Sequence, residues 1–401
     1  MDLRSAFRIA TLGPAYQLHK RLIDESRSWT QAQTAEYQTR KISNLLGRYG
    51  DSIRSKEHYR ANLHRYTTLP LRGLTRRVST GGTTGTPFTF YADTFARRQK
   101  ERAYIFDIWS EVGYKPFDLR VVYRGNTGKR VISYNWLENA YVISPAQFSL
   151  ETVESVINVL RRLPPFFLHV YPSSLLSLLE LLGEETMRSL PIRGILAGSE
   201  AFPPIQMLAI ERNLDIQISH WYGHSEYATL AKYCKDCSGF HFYPTYGYTE
   251  FVKDGTELPH IVATSFNSIG THFVRYDTGD VALLSERHCQ QPYQRIDTVV
   301  GRVQDYFVGR DGVRYAFGPF LFGIHNQFWE LIKVSQFIQR TPGILDVRIS
   351  FKATTSLADR RWVKDFLVGR FSVVNLTFSD DQQIISSVNG KHRYYINELQ
   401  F

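Results

Sequence analysis

Two short stretches of this 401-residue chain concentrate residue types that do chemistry. The first, residues 79–87, reads Ser79-Thr80-Gly81-Gly82-Thr83-Thr84-Gly85-Thr86-Pro87. Three glycines let a backbone turn tightly and aim successive N–H groups at one anion, and five hydroxyls add donors for phosphate oxygens. No Lys-Ser/Thr pair follows the last glycine, so this is not a Walker loop. The same residues also suit a polar hairpin turn, with Phe88, Phe90 and Tyr91 on the outgoing strand. The second stretch is Cys234-Lys235-Asp236-Cys237, with His241 four residues on and Cys289 the only other cysteine. Three thiolates and one imidazole make a closed tetrahedral structural zinc site, provided Cys289 folds back onto the pair. The plainer alternative is three small buried side chains and a surface histidine. A catalytic thiol would need a supporting base, and none is evident in the sequence.

The elements that must position these groups follow from the texture of the chain. Residues 1–70 read as basic and helical, with Leu18, Leu22, Ile42, Leu45 and Leu46 at helical spacing among Lys and Arg. From about residue 71 short apolar runs take over: 119–123 (LRVVY), 166–171 (FFLHVY), 192–197 (IRGILA), 216–221 (IQISHW) and 261–266 (IVATSF). A helical pattern over 174–187 lies among them, with Leu175, Leu178, Leu179 and Leu182 on one face. Strands alternating with helices predict a layered α/β core. Residues 334–339, 345–351, 357–371 and 373–378 form a compact β-β-α-β pattern, a second unit after a boundary near 303–304. The expected organisation is therefore a basic helical segment over 1–70, a core over 71–303 and a small α+β domain over 304–401.

Composition narrows the function classes. At 43% hydrophobic and 21% charged residues the chain is ordinary globular protein. No apolar run reaches the roughly 18 residues that span a bilayer, and the N-terminus lacks the apolar core of a secretory signal. Three cysteines make no disulfide framework, so the expected setting is cytoplasmic. The charge is uneven: residues 1–70 hold 12 basic against 6 acidic side chains, and residues 71–130 hold 12 against 5. A basic front third suits an anionic partner such as a nucleotide, a phosphorylated substrate or an anionic membrane at the inner face. Nucleic acid is not expected, because the aromatics lie in strand-like runs and no nucleic-acid-binding signature is present.

The 79–87 loop resembles the phosphate-binding signature of the adenylate-forming superfamily, which activates carboxylates with ATP. Its form is most similar to the branch of phenylacetate–CoA ligases and capsular polysaccharide biosynthesis proteins. Later motifs follow in order: Trp221-Tyr222-Gly223-His224-Ser225-Glu226, Arg275-Tyr276-Asp277-Thr278-Gly279-Asp280, Gly301-Arg302-Val303-Gln304-Asp305 and Asn389-Gly390-Lys391-His392-Arg393. Together they cover residues 79–393.

The resemblance implies an α/β fold with a large N-terminal domain of mixed sheets and helices and a small mobile α+β C-terminal domain. It implies ATP and Mg²⁺ as cofactors and a small-molecule carboxylate as substrate. Thr80, Gly81, Gly82, Thr83, Thr84 and Gly85 would cradle the triphosphate. Glu226 would ligate Mg²⁺ and Ser225 would contact the α-phosphate. Asp280 would take the ribose hydroxyls beside Arg302, and Tyr222 and Gly223 with Gly198-Ser199-Glu200 would frame the adenine. Lys391 would bring a mobile cation to the reacting phosphate. The hinge falls at Gln304, where the family often has an acidic residue, with Asp305 next to it. Some relatives carry Cys/His metal sites after the same Ser-Glu motif, which favours zinc at Cys234, Cys237, His241 and Cys289. The acceptor in the second step is a sugar amine or hydroxyl, carried on a saccharide or lipid-linked saccharide, in the favoured reading. Coenzyme A is the acceptor in the alternative, and a nucleotide-binding protein without turnover is a further one.

Overall fold

Four helices open the chain: α1 (Leu3–Ala10), α2 (Gly13–Ser26), α3 (Gln31–Tyr49) and α4 (Lys56–Tyr66). Their starts are written locally. Pro14 lies in the first turn of α2, and Thr30 and Gln33 form a reciprocal capping box on α3. The computed structural model describes residues 3–399 apart from 69–73, 80–87, 95, 125–129, 149–150, 254–257, 267–269, 286–288, 290, 303–305, 318–319, 321–325 and 381–391. Strands β1 (Thr75–Ser79) and β2 (Thr89–Asp93) form an antiparallel hairpin with Ser79 opposite Thr89, and α5 (Ala96–Trp109) follows.

The centre of the molecule is a mixed 12-stranded sheet. In chain order its first half is β3 (Arg120–Tyr123), β4 (Ile132–Asn135), β5 (Ala140–Ile143), β6 (Phe166–Val170), β7 (Ile192–Gly198) and β8 (Ile218–Gly223). Helices α6 (Val153–Arg161), α7 (Pro172–Leu182), α8 (Glu184–Ser189) and α9 (Pro204–Leu214) lie between these strands. The second half is β9 (Leu230–Cys234), β10 (Gly239–Phe242), β11 (Gly247–Val252), β12 (His260–Ser265), β13 (Tyr276–Leu284) and β14 (Arg295–Arg302). Strands β3, β6, β7 and β8 run parallel, and the pairings from β8 through β14 are antiparallel. The helical pattern over 174–187 is two helices, divided at Gly183, whose φ of 76° no helix accepts.

The parallel strands are buried on both faces, which is why they read as unbroken apolar runs. On β6, Phe166, Leu168 and Val170 pack with Val156, Leu160, Leu175 and Ile210 from α6, α7 and α9. Phe167, pointing the other way, packs with Tyr16, Ile23, Ala103 and Trp109 from α2 and α5.

A separate apolar core, including Phe307, Phe337, Val347, Val363, Leu367 and Phe371, organises the C-terminal residues. Around it lie the hairpin β15 (Tyr306–Val308) and β16 (Arg314–Ala316), the helices Asn326–Leu331 and Leu357–Arg370, and a four-stranded sheet. That sheet comprises β17 (Ile332–Thr341), β18 (Ile344–Phe351), β19 (Asn375–Asp380) and the edge strand β20 (Tyr395–Asn397), in the order β19-β18-β17-β20. The unit touches the large one through Lys333, whose Nζ lies 2.9 Å from a Glu180 carboxylate oxygen and whose carbonyl accepts from Gln206. The proposed boundary at 303–304 lies outside the described residues, as do Gln304 and Asp305. Among the described residues no helix is long and apolar enough to cross a membrane.

Candidate active site

The parallel register carries the ends of four strands to one rim: Tyr123 lies opposite Val170, Val170 opposite Ala197, and Gly198 opposite Trp221. In open α/β sheets ligands bind beyond such carboxyl ends. Gly198 is required there, because a Cβ would sit 2.3 Å from the Trp221 ring. Ser199 follows with φ 70°, a strained conformation for a residue with a side chain.

Beyond β8 the chain presents His224, exposed Ser225 and buried Glu226. The Glu226 carboxylate meets His224 Nδ1 at 3.1 Å, accepts from the Tyr276 hydroxyl at 2.8 Å and pairs with Lys56 Nζ at 3.4 Å. Burial would push this carboxyl up, yet the hydrogen bond and charge of His224, the Lys56 ammonium and Tyr276 hold it down to about 2. It is therefore a buried carboxylate kept ionised at neutral pH, a donor that suits a hard divalent cation such as Mg²⁺.

Tyr276 begins β13, whose far side of the Asp277-Thr278-Gly279 bend carries Asp280. The bend is set by Gly279 at φ 76°, by the Gly279 N–H donating to Asp277 and by the Asp280 N–H donating to Thr278 Oγ1. Asp280 accepts from the Tyr222 hydroxyl at 2.7 Å and lies opposite Arg302 in the β13–β14 register. Thus β8 and β13 bring Tyr222, His224, Glu226 and Asp280 to one place. Tyr222 approaches by its hydroxyl, with its ring 6.5 Å from that of His224.

Glu200 joins the two units. One carboxylate oxygen accepts from the Ser173 N–H in the first turn of α7, and the other accepts from the His392 N–H at 3.1 Å. His392 is half-buried, and its ring nitrogen also meets the Ser335 carbonyl of β17. Lys391, its neighbour in sequence, lies outside the described residues, as do Thr80, Gly81, Gly82, Thr83, Thr84 and Gly85. The stem of that loop is described. Phe88 and Phe90 share one apolar cluster with Tyr59, Phe273 and Tyr276, and Phe273 links the hairpin stem to the tyrosine that bonds Glu226.

Lys56 carries no signal in the sequence. It is one of 48 basic residues, 170 positions before Glu226, and no local pattern marks it. Tyr276 and His224 fall inside the quoted motifs without a role; buried hydroxyl and imidazole groups next to a carboxylate are the signal that assigns one.

The Cys/His residues converge. The ligand atoms of Cys234, Cys237, His241 and Cys289 all lie within 4.8 Å of one another, and Cys237 Sγ is 3.2 Å from His241 Nε2. The hairpin β9–β10 supplies three of the four, and Cys289 arrives from the β13–β14 connection. His241 is fully buried and not a surface histidine. Burial holds its imidazole neutral with a pKa near 4. Burial and the neighbouring Cys234 and Cys289 push the Cys237 thiol up to about 12. Tetrahedral Zn²⁺ with S₃N ligation fits this donor set, because a bound cation favours the thiolates and the neutral imidazole that ligate it.

A cavity of about 660 Å³ opens beside Tyr227, the residue after Glu226, and is lined by Arg76, Arg97, Arg98 and Arg102. Arg97 lies over the Tyr227 ring at 4.2 Å.

No protein-family model matches the sequence, and none of the curated proteins matches it. Solved structures do. 2-Hydroxyisobutyryl-CoA ligase, crystallised in the postadenylation state with an acyl-adenylate, is similar at TM-score 0.65 and 16% identity, over 98% of this chain and 90% of that one. The amide bond synthetase McbA from Marinactinospora thermotolerans is similar at TM-score 0.53 and 12% identity, over 79% and 67%. An ATP-bound RpMatB–BxBclM chimera is similar at 0.52 and 15%, over 78% and 65%. The fold of this chain is that of the adenylate-forming ligases, a large α/β N-terminal domain with a mixed sheet and a small C-terminal domain.

Proposed function

We propose that this protein activates a carboxylic acid with ATP. The acid's carboxylate oxygen attacks the α-phosphorus, the bond to the β-phosphate oxygen breaks, and acyl-adenylate and pyrophosphate result. The observation that carries the reading is the junction of β8 and β13, where an ionised buried Glu226 and the Tyr222–Asp280 pair stand at the open end of a parallel sheet. Glu226 would hold Mg²⁺, which neutralises phosphate charge when bound. Ser225 would meet the α-phosphate, and Asp280 the ribose, with Arg302 beside it. The 80–85 loop would cradle the outer phosphates. Lys391 would approach the reacting phosphorus on the small domain, which we read as residues 304–401 pivoting near Gln304 and Asp305. Cys234, Cys237, His241 and Cys289 would hold a structural zinc.

The acyl group then passes to an acceptor. We favour a sugar amine or hydroxyl of cell-surface polysaccharide biosynthesis, the activity the phenylacetate–CoA ligase and capsular polysaccharide branch points to. Coenzyme A is the second reading, supported by the CoA-ligase name of the first structural neighbour. The arginine-lined cavity beside Tyr227 suits the phosphate groups that coenzyme A and a lipid-linked saccharide share. A lipid-linked acceptor would also give a cytoplasmic enzyme peripheral contact with anionic membrane.

ATP–pyrophosphate exchange across a panel of carboxylic acids tests the first half-reaction. Exchange with at least one acid, falling on the order of 10²–10³-fold in Lys391→Ala, is the expected result. Exchange with no acid, together with no binding of ATP or AMP, would sink the reading.

A further inference from the structure

We infer that the acid this protein selects carries a second anionic group, and that Arg124, positioned by His169, is the residue that receives it. The inference rests on the adenylation reading and deepens it. Its starting point is a charge imbalance around β3 and β6. His169 is buried on β6 between Arg120 of neighbouring β3 and Arg124 just past its end: Arg124 Nη1 lies 2.6 Å from Nε2, and Arg120 Nη1 lies 3.4 Å from Nδ1. A guanidinium has donors and no acceptor, so the contact at Nε2 requires a neutral ring with its lone pair there. Burial and the charges of Arg124 and Arg120 enforce that neutral state. The imidazole therefore fixes Arg124 without cancelling its charge.

The carboxylates nearby are already taken. Glu138 accepts from Arg98, from Arg102 at 2.7 Å and from Arg120 at 3.2 Å, one carboxylate for three guanidiniums. Arg124 has no carboxylate partner among the described residues. Among the described residues it also contacts the Tyr171 ring, with Cζ 4.6 Å from the centroid. A half-buried guanidinium stacked on one face and bonded at one nitrogen still offers an edge of parallel donors, the geometry that binds a carboxylate or phosphate in bidentate fashion.

Its position ties that edge to the reaction. Arg124 and Tyr171 continue β3 and β6 by one residue, in line with Gly198 and Trp221 at the rim. Rings of Trp109, His169 and Trp221 lie beneath, with centroids 4.9–6.1 Å apart. An aromatic floor with one uncompensated cation at its edge fits a short carbon skeleton ending in an anion. A neutral acid would leave Arg124 desolvated and unpaired, and buried polar groups left unpaired are what give strong discrimination.

The test is ATP–pyrophosphate exchange with straight-chain diacids of increasing length, their monomethyl half-esters, and phosphonocarboxylic acids of matching length. Expected is exchange with at least one doubly anionic acid and a kcat/KM at least 100-fold lower for its half-ester. The diacid and phosphono arms tell which anion is read. Arg124→Ala should remove that 100-fold preference, slowing the diacid and raising the rate with half-ester, while leaving the KM for ATP unchanged. Arg124→Glu should move preference to ω-amino acids of the same length, a gain that misfolding cannot mimic. His169→Gln, which keeps an acceptor for Arg124, should retain most of the preference that His169→Leu loses. Faster exchange with neutral acids than with diacids, or equal losses on both in Arg124→Ala, overturns the inference and leaves adenylation standing. Nucleotide binding with no doubly anionic acid turned over does the same. Absence of both nucleotide binding and exchange overturns the adenylation reading itself.

Discussion

The two halves of the central sheet serve the candidate site in different ways. In the parallel half, β3, β6, β7 and β8 end at the rim, and the polar residues there (Arg124, Tyr171, Ser199, Glu200, His224 and Glu226) lie just past the last ladder pairs. In the antiparallel half, Asp280 lies within β13, paired in register with Arg302, and the Cys/His cluster clamps the β9–β10 hairpin to the β13–β14 connection. Side chains past a strand end can change without undoing hydrogen bonds between strands. Side chains that fasten hairpins cannot. Substitutions in the first half should therefore move activity more than stability, and those in the second half should do the reverse.

The largest contrast is between Glu226 and Cys237. Glu226→Gln removes the anion but keeps hydrogen-bonding atoms for Tyr276 and His224, so pyrophosphate exchange should fall on the order of 10²–10³-fold, with a thermal loss smaller than that of the cysteine variant, since only the Lys56 pairing and the ionised form's stabilisation go. Cys237→Ser, or stripping zinc with a chelator, should lower the melting temperature on the order of 10 °C, measured alongside zinc content by mass spectrometry. Equal thermal losses for the two variants would erase the distinction. Protein purified without added zinc, yet metal-free and fully stable, would remove the cluster from it.

Acid should affect the whole molecule. Burial holds His220 and His392 with pKa values near 4, and burial with nearby Lys100 and Lys41 does the same for His19. In the unfolded chain these rings take protons near pH 6.5, so the unfolded state binds more protons between the two values. Stability is then full above pH 6.5 and is lost as pH falls towards 4, by roughly 2–3 kcal/mol per histidine at the lower end. Urea midpoints measured at intervals from pH 7 to 4.5 read this directly, and His220→Gln should flatten the slope. A flat profile in the parent protein would mean these imidazoles titrate freely.

What the sequence displayed, and what it hid, divides along the same line. The buried parallel strands were visible as apolar runs. Tyr222, Ser225, Glu226 and Asp280 are singled out by the resemblance of their motifs, each a short local stretch at a strand end or at the Thr-Gly-Asp bend. Contacts across long stretches of chain left no such trace: Lys56 with Glu226, Glu138 with three arginines, and Glu200 with the His392 N–H. The strands β9 and β10 leave no alternation in the sequence, since Tyr, Phe and Cys are buried on both of their faces. The short edge strand β20 is recognisable only once β17 lies beside it.

Gly198 sharpens the comparison from within the first half. It is a backbone position at the rim, so Gly198→Ala must displace the Trp221 ring that a Cβ would meet at 2.3 Å. Overpacking of this kind typically costs about 1–3 kcal/mol. Because Trp221 floors the rim, the loss should appear as a higher KM for the acid as well as a modest drop in melting temperature. A change in stability with acid KM unaffected would show that the ring does not shape the acid's site.

The smallest expected effect belongs to Lys56, and it probes whether the N-terminal helices belong to the site or only cover it. Its ammonium is 3.4 Å from Glu226 and partly open to water, so solvent weakens the attraction. His224 and Tyr276 remain to hold the carboxylate ionised when Lys56 is replaced. Lys56→Met should therefore lower exchange by less than about tenfold at neutral pH. A loss that deepens as pH falls would show that Glu226 takes its proton at a higher pH once the Lys56 charge is gone. Pyrophosphate exchange followed from pH 8 to pH 5 in Lys56→Met and in the parent tests this. Parallel profiles would confine the N-terminal segment to packing, whereas an acid limb displaced upward in the variant would place Lys56 in the same electrostatic unit as Glu226.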